Sequence, residues 1–455
     1  MSQGYEAFCL NDPLFYDAPM LARDDDVDYE LANRSVPPGW RRDSLEDWLV
    51  YTPADADVPS QGWKIHASAS LDDAEKILNV VWDYCLEQRI PFKFVRSAQL
   101  LLLANGKYAD RASSGKFITI YPRDEVQFGE ALNDLGVALA GFQGPYILSD
   151  LRWSDGPLYV RYGAFAERYC LSDSGEVVPA IEAPDGLLVP DRRGTAFSVP
   201  PWVTVPTLLA PALEARAATT LANLPYRVER PLHFSNGGGV YLATDARTDE
   251  PVILKEARPH AGLAIDGSDA VQRLANERVI LESLAGLGAV PEVKGAFIVG
   301  GHHFLALEYI EGTPLSGSLV DRYPLSLLGE SKDFTGYTSW AVEVMTKLRR
   351  LVAAVHERGV VIGDLHPGNV LIRADGRLVL VDLEVASDVR SARRPTLVDP
   401  AFAAPDDRAG FEVDEYALAA IGLSVFLPLT ELIALDTSKV DQFAREIQAL
   451  FPLPT

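Results

Sequence analysis

The sequence predicts an α+β chain of two domains, and three observations predict it. Short alternating stretches surround one amphipathic helix in the first half. A proline-punctuated break with Pro200, Pro201, Pro206 and Pro211 runs to Pro225. Beyond it, strands, helices and carboxylate-bearing loops resume. The expected division is a first domain at residues 1–200, a linker at 201–225 holding a connecting helix from Ala212 to Leu224, and a second domain at 226–455. In the first domain, Ala74, Ile77, Leu78, Val81, Trp82 and Cys85 recur at helical spacing within Leu71–Gln88, with Asp72 and Asp73 suited to the first turn. Trp63–Ser68, Phe117–Tyr121, Tyr146–Leu151 and Leu158–Tyr162 read as strands.

Composition narrows the classes. The chain has 455 residues, 48% hydrophobic and 23% charged, with a net charge of −23. That acidity argues against nucleic acid or an anionic membrane as partner. Residues 1–60 hold 13 Asp/Glu against 4 Lys/Arg, whereas residues 64–123 hold 9 Lys/Arg against 6 Asp/Glu. A locally basic segment in an acidic chain suggests an anion site, with phosphate as a candidate. Cys9, Cys85 and Cys170 fit neither a disulfide framework nor a zinc site, and read as buried small side chains in a reducing cytoplasm. No signal peptide opens the chain. The most apolar stretch, Tyr416–Leu429, is too short to span a bilayer and reads as a buried helix.

The second half carries an ordered set of motifs. Gly237, Gly238 and Gly239 follow Asn236 between two extended segments, where glycines let backbone N–H groups approach phosphates. Val252–Lys255 is an apolar strand ending in a lysine. The helix that follows offers Glu277 as its partner, with Glu282 less well phased. Phe304–Leu307 leads into Glu308, Tyr309 and Ile310, which resemble the adenine-contacting hinge of kinases. Asp364 and Asn369 have Asp-x-x-x-x-Asn spacing, and Asp382 ends an apolar strand 13 residues later. Each has a bland explanation alone; the order of all five does not. The half resembles a bilobal protein-kinase-like domain, with an N-lobe at 226–312 and an abbreviated C-lobe at 313–455. The resemblance implies ATP or GTP and Mg2+, Asp364 as proton acceptor, and Asn369 and Asp382 as metal ligands. Two departures matter. Ile362-Gly363-Asp364 lacks the usual Arg, which argues against activation by phosphorylation, and Asp382-Leu383-Glu384 replaces Asp-Phe-Gly. The Asp-Leu-His-Pro-Gly-Asn run also resembles small-molecule kinases such as the aminoglycoside phosphotransferases.

In the first half, strict alternation puts Lys64, His66 and Ser68 on one strand face. Lys93 sits between Phe92 and Phe94; Arg111 and Tyr121 flank a Ser/Gly-rich strand; Arg152 and Arg161 lie in or beside short strands. Singly these read as solvated faces. As a set they resemble the phosphothreonine lyases. That resemblance implies Lys64 stabilising an enolate-like charge, Lys93 as base kept neutral by apolar walls, His66 donating to leaving phosphate, Tyr121 assisting, and Arg111, Arg152 and Arg161 binding phosphate.

A phosphothreonine-lyase-like α+β domain followed by a kinase-like domain resembles the class III lanthipeptide synthetases, with class IV as close relatives. The segments Ala7–Asp17, Gly115–Pro122 and Gly144–Arg152 carry that resemblance. It implies Ser/Thr dehydration in a ribosomal precursor peptide by phosphorylation and β-elimination, in the cytoplasm. It also implies a cyclase, as a further domain or separate chain, that these 455 residues do not include. A stand-alone kinase and a non-catalytic pseudokinase scaffold are the competing readings. The paired motifs and the complete set Lys255, Asp364, Asn369 and Asp382 count against them.

Overall fold

A computed structural model describes residues 28–453 apart from 46, 219–223, 326–332 and 392–393. The Ala7–Asp17 segment and Cys9 lie outside the described residues.

The first domain is built on a seven-stranded antiparallel sheet. Its strands are β1 (Trp40–Leu45), β2 (Trp48–Pro53), β3 (Gln61–Ala67), β4 (Phe92–Val95), β5 (Ile118–Ile120), β6 (Leu151–Trp153) and β7 (Leu158–Ala164). The spatial order is β1-β2-β4-β5-β3-β7-β6. Helices Ala74–Gln88 and Glu125–Ala138 cover one face. Ile77, Leu78, Val81, Trp82 and Cys85 pack there against Trp63, Ile65, Phe92, Phe94 and Ile118. The first helix stops where Arg89 turns left-handed (φ 51°) and the Ile90 N–H returns to the Cys85 carbonyl at 2.9 Å.

The period of two then fixes the opposite face. Val50, Lys93, Thr119, His66, Tyr159 and Arg152 lie in one row across six strands. Lys64 pairs with Arg161 two residues along. The expected strand Tyr146–Leu151 is not one: residues 146–150 are irregular, and the strand begins at Leu151. The polar groups there are spent on tertiary bonds instead of a ladder. The Tyr146 carbonyl accepts from Arg258 at 2.5 Å, and the Asp150 carboxylate accepts from Ser149 and meets His66. A small meander, β8 (Tyr169–Leu171), β9 (Val177–Glu182) and β10 (Leu188–Pro190), follows; Cys170 on β8 is half-buried rather than core.

The second domain opens with an antiparallel sheet ordered β11-β12-β13-β15-β14: β11 (Tyr226–Ser235), β12 (Gly238–Asp245), β13 (Pro251–Ala257), β14 (Val293–Val299) and β15 (His302–Glu308). Helix Ala270–Ser283 packs on it, started by a capping box between Asp269 and Gln272. The larger lobe centres on helices Phe334–His356 and Phe411–Ser424, joined by Leu348, Val352, Val355, Ala417 and Ile421 in one core. The second of these ends at Ser424, so the apolar stretch to Leu429 is helical only in its first part.

The domains are joined by more than the linker. Residues 105–107 bridge to Leu263 of the second domain: the Leu263 N–H donates to the Asn105 carbonyl (2.9 Å) and the Lys107 N–H to the Leu263 carbonyl (3.1 Å). Asn236 donates through its side-chain amide to the Gly106 carbonyl and to Ser114. The Arg111 guanidinium stacks over Phe234 at 4.4 Å.

Candidate active sites

The polar face of the first sheet floors a cavity of about 1040 Å³. Lys64, His66, Lys93, Tyr121 and Arg161 all line it, together with Lys116 and Arg193. Lys64 is buried, its Nζ donating to the Ala164 carbonyl at 2.9 Å. Burial, then the nearby Arg161 charge, pull it down to about 7. Lys116 is drawn by burial to about 8. His66 Nδ1 lies 2.5 Å from an Asp150 oxygen. Burial pulls the imidazole down to about 4, so it is neutral at pH 7 with Nδ1–H toward the carboxylate. Asp150 itself is held ionised, at about 2: burial opposes this, and His66, Lys116 and the Ser149 hydroxyl outweigh it. Burial raises the Tyr121 phenol, whose ring meets Phe165 edge-on at 5.1 Å.

Three expectations change here. Phe92 and Phe94 face the helices, so they do not wall Lys93; its Nζ lies 4.4 Å from the centre of the Trp48 ring. Arg111 stacks on Phe234 in the domain interface and does not line the cavity. Arg152 shares the sheet row, but its guanidinium folds back onto the Asp155 and Gly156 carbonyls of its own hairpin. Lys116, Arg168 and Arg193 line the cavity in their place, beside Arg161, which is ion-paired with buried Asp191. A side chain at Gly163 would collide with that pair, since its Cβ would lie 2.8 Å from Arg161 Nη1. Lys116 and Asp150 stood inside segments quoted from the sequence. Nothing in their local pattern marks them as site residues, because distant loops bring them to the sheet.

In the second domain, Lys255 Nζ donates to both Glu277 oxygens at 2.7 Å and to Asp382 Oδ1 at 2.6 Å. Glu282 turns outward to Arg278. Burial would lower Lys255, but Asp382 and Glu277 outweigh it and hold the ammonium well above its ordinary value. Glu277 also accepts from the Leu383 N–H at 3.1 Å, fixing the segment after Asp382. Asp382 sits at φ 62°, a left-handed conformation uncommon for a non-glycine and typical of functional sites. Asp364 accepts the Asp399 N–H on Oδ1 at 2.8 Å; burial raises its carboxyl, which makes it a better proton acceptor. The loop carrying it is bolted down by buried Asp414, which accepts the Ile362 and Gly363 N–H groups at 2.8 and 2.9 Å and meets His356 at 2.8 Å. Gly363 has φ +82°, so the backbone at the expected arginine position is one that glycine adopts freely.

The Asn369 side-chain amide donates its N–H to the Asp364 carbonyl at 3.1 Å, which leaves Oδ1 as an acceptor, and the Asn369 carbonyl accepts the Val381 N–H at 2.9 Å, one residue before Asp382. Asn369 Oδ1 and an Asp382 oxygen plus phosphates are a donor set that suits Mg2+. The glycine turn is closely packed: a Cβ on Gly238 would lie 1.9 Å from the Glu256 carbonyl oxygen, one on Gly239 2.5 Å from the Tyr241 hydroxyl and one on Gly237 3.0 Å from the Ala270 Cβ. At the hinge, the Glu308 N–H is tied to the Glu292 carbonyl at 2.8 Å, with exposed Tyr309 and buried Ile310 following.

Comparison with known proteins finds two domain matches. Residues 28–219 match the RamC N-terminal domain and residues 226–449 the protein kinase domain. The chain is also 50% identical, over its whole length, to a probable SapB synthase of Streptomyces coelicolor, of which it covers 49%. These similarities agree with the class III lanthipeptide synthetase resemblance read from the sequence. The chain spans about half the length of that curated relative. Its kinase domain alone is 27% identical over 172 residues to a probable serine/threonine-protein kinase, YbdM, of Bacillus subtilis, covering 37% of this chain and 60% of that one. It is 28% identical over 208 residues to the serine/threonine-protein kinase PknD of Mycobacterium tuberculosis, covering 43% and 29%. A protein kinase domain implies ATP binding and typically Mg2+. No helix among the described residues is long and apolar enough to cross a membrane.

Proposed function

We propose that this protein dehydrates Ser and Thr residues of a ribosomal precursor peptide by phosphorylating them and then eliminating the phosphate. The observation that carries the reading is one cavity ringed by Lys64, His66, Lys93, Lys116, Arg161 and Arg193 in a chain of net charge −23 that also holds a phosphoryl-transfer site. Anionic surroundings and a cationic cavity favour a phosphorylated side chain there over elsewhere.

In the first step the peptide hydroxyl oxygen attacks the γ-phosphorus of ATP, with GTP as the alternative donor. The bond to the bridging oxygen breaks, and the hydroxyl proton passes to Asp364 Oδ2, the oxygen that does not bind Asp399. Lys255, braced by Glu277, holds the nucleotide phosphates. Tyr309 and Ile310 offer backbone groups to the base. Asn369 and Asp382 hold magnesium, which when bound offsets charge on the transferring phosphoryl group.

In the second step Lys93 takes the α-proton of the phosphorylated residue. The released electron pair forms the Cα=Cβ bond, the Cβ–O bond breaks, and phosphate leaves with its bonding electrons. Lys64 faces the carbonyl where negative charge develops. Lys116, Arg161 and Arg193 attract the phosphate, whose charge favours protonation of His66; His66 then returns a proton to it, with Asp150 behind the ring and Tyr121 alongside. The low value of Lys64, about 7, supports a second reading in which Lys64 is the base and Lys93 the electrostatic partner. The reaction belongs in the cytoplasm, where nucleotide and nascent peptide coexist, with a cyclase domain or chain acting on the product.

The test is peptide mass after incubation with a precursor peptide, Mg2+ and ATP. Wild-type protein is expected to yield peptide that has lost water. Lys93→Ala or His66→Ala is expected to leave phosphorylated peptide, with elimination slowed about 10²–10⁴-fold. Complete dehydration by both variants would remove those residues from the chemistry.

A further inference from the structure

One residue of the RamC domain reaches into the phosphoryl-transfer site. Lys107 follows helix Ala98–Ala104 and is held through three of its groups. Its N–H donates to the Leu263 carbonyl at 3.1 Å, and its carbonyl accepts the Asn236 N–H at 3.0 Å, at the tip of the glycine turn. Its ammonium is ion-paired with Glu384, and both side chains are largely buried. The other Glu384 oxygen accepts from Arg273 Nε at 3.2 Å, on the helix that carries Glu277. That helix reaches the same segment again through Asn276, whose amide donates to the Glu384 and Ala386 carbonyls at 3.1 and 2.8 Å.

The moving parts of a kinase domain are the glycine turn, the helix bearing the lysine's glutamate, and the segment that presents the metal-binding aspartate. Lys107 contacts the first by its backbone and joins the other two through Glu384. The expected arginine before Asp364 is Gly363, so that position offers no cation to clamp this region. A kinase that depends on activation-loop phosphorylation uses a switchable charge for this purpose. Here the charge is a fixed lysine from a neighbouring domain.

We propose that Lys107 is a positioning residue of the phosphoryl-transfer site: the RamC domain, through the Lys107–Glu384–Arg273 cluster and the Asn236 contact, holds the glycine turn and Asp382 in the arrangement that accepts Mg2+ and ATP. The inference rests on the kinase reading of the second domain. It makes the RamC domain a permanent structural activator of its neighbour as well as the carrier of the elimination cavity. Lys107 does not line that cavity, so the two roles are separable.

The test uses the full chain and two assays. The first is magnesium-dependent ATP hydrolysis, read as separate kcat and KM values. The second is release of phosphate from a synthetic phosphoserine peptide without nucleotide. Lys107→Met is expected to lower kcat about 10–100-fold, the scale of a small misplacement in a positioned site, and to raise KM for ATP. Lys107→Arg keeps the charge and is expected to restore most of both. Glu384→Gln is expected to follow Lys107→Met. Phosphate release is expected to be unchanged in all three. Normal kcat and KM in Lys107→Met would overturn the proposal. So would equal loss of both activities in Lys107→Met and Lys107→Arg, which marks a purely structural residue. Wild-type protein that neither binds nor hydrolyses ATP would overturn the kinase reading itself.

Discussion

Lys64 illustrates how a site cation is bought at the expense of stability. A buried ammonium without a carboxylate partner of its own is costly, and its value falls from 10.5 to about 7. The unfolded chain binds the Lys64 proton up to about pH 10, whereas the folded chain releases it near 7. Stability therefore rises with pH across that window, and the penalty is full below it. Lys64→Met, similar in length and apolar, is expected to be more stable than wild type at pH 7, by a margin that shrinks toward pH 9. Urea unfolding at the two pH values checks this, and a margin that grows would contradict it. Lys64 and His66 were legible because strand alternation forces a buried-face choice. Lys116, Asp150, Asp191 and Arg193 were not, since each joins the site through a loop whose path only tertiary packing fixes. Arg161 lines the cavity, whereas Arg111 and Arg152 lie elsewhere for a related reason: they have the right charge, but interface and hairpin partners take their guanidinium groups.

At the scale of elements, periodicity served well where one apolar face meets one core. Helix Ala74–Gln88 buries Ala74, Ile77, Leu78, Val81, Trp82 and Cys85, the residues its spacing picks out. Glu277 falls on the inward phase of its helix, one turn from Ile280 and Leu281, and Glu282 on the outward one. The failure at Tyr146–Leu151 has a chemical cause. Its apolar content resembles a strand, but its backbone and Asp150 answer to Arg258, Ser149 and His66. The register that aligns Lys93, Thr119 and His66 depends on the packed face behind them. Phe92 is fully buried, stacked on Tyr51 at 5.5 Å and edge-on to Trp82 at 5.6 Å. Phe92→Ala is expected to cost about 3–5 kcal/mol. Denaturant unfolding measures it, and a loss under about 1 kcal/mol would show that the sheet does not rely on this cluster.

For the molecule as a whole, the two sites give each other meaning. A kinase site whose loop is bolted to Asp414, with Gly363 where an arginine was expected, is built for constant competence rather than for switching. On the function proposed above, its product is an intermediate that the cationic cavity of the RamC domain consumes. The domain order was legible from motif order. The interface was not, because the contacts of Asn105, Gly106, Lys107 and Asn236 draw on backbone groups and on single polar side chains that no periodic pattern marks. The central claim, that phosphate is installed to be expelled, is tested most directly by separating the half-reactions. Asp364→Asn protein is given a precursor peptide already phosphorylated on serine, without nucleotide. The account predicts that free phosphate and dehydrated peptide appear at the wild-type rate. Phosphopeptide that persists unchanged with this variant, while wild-type protein converts it, would contradict the account.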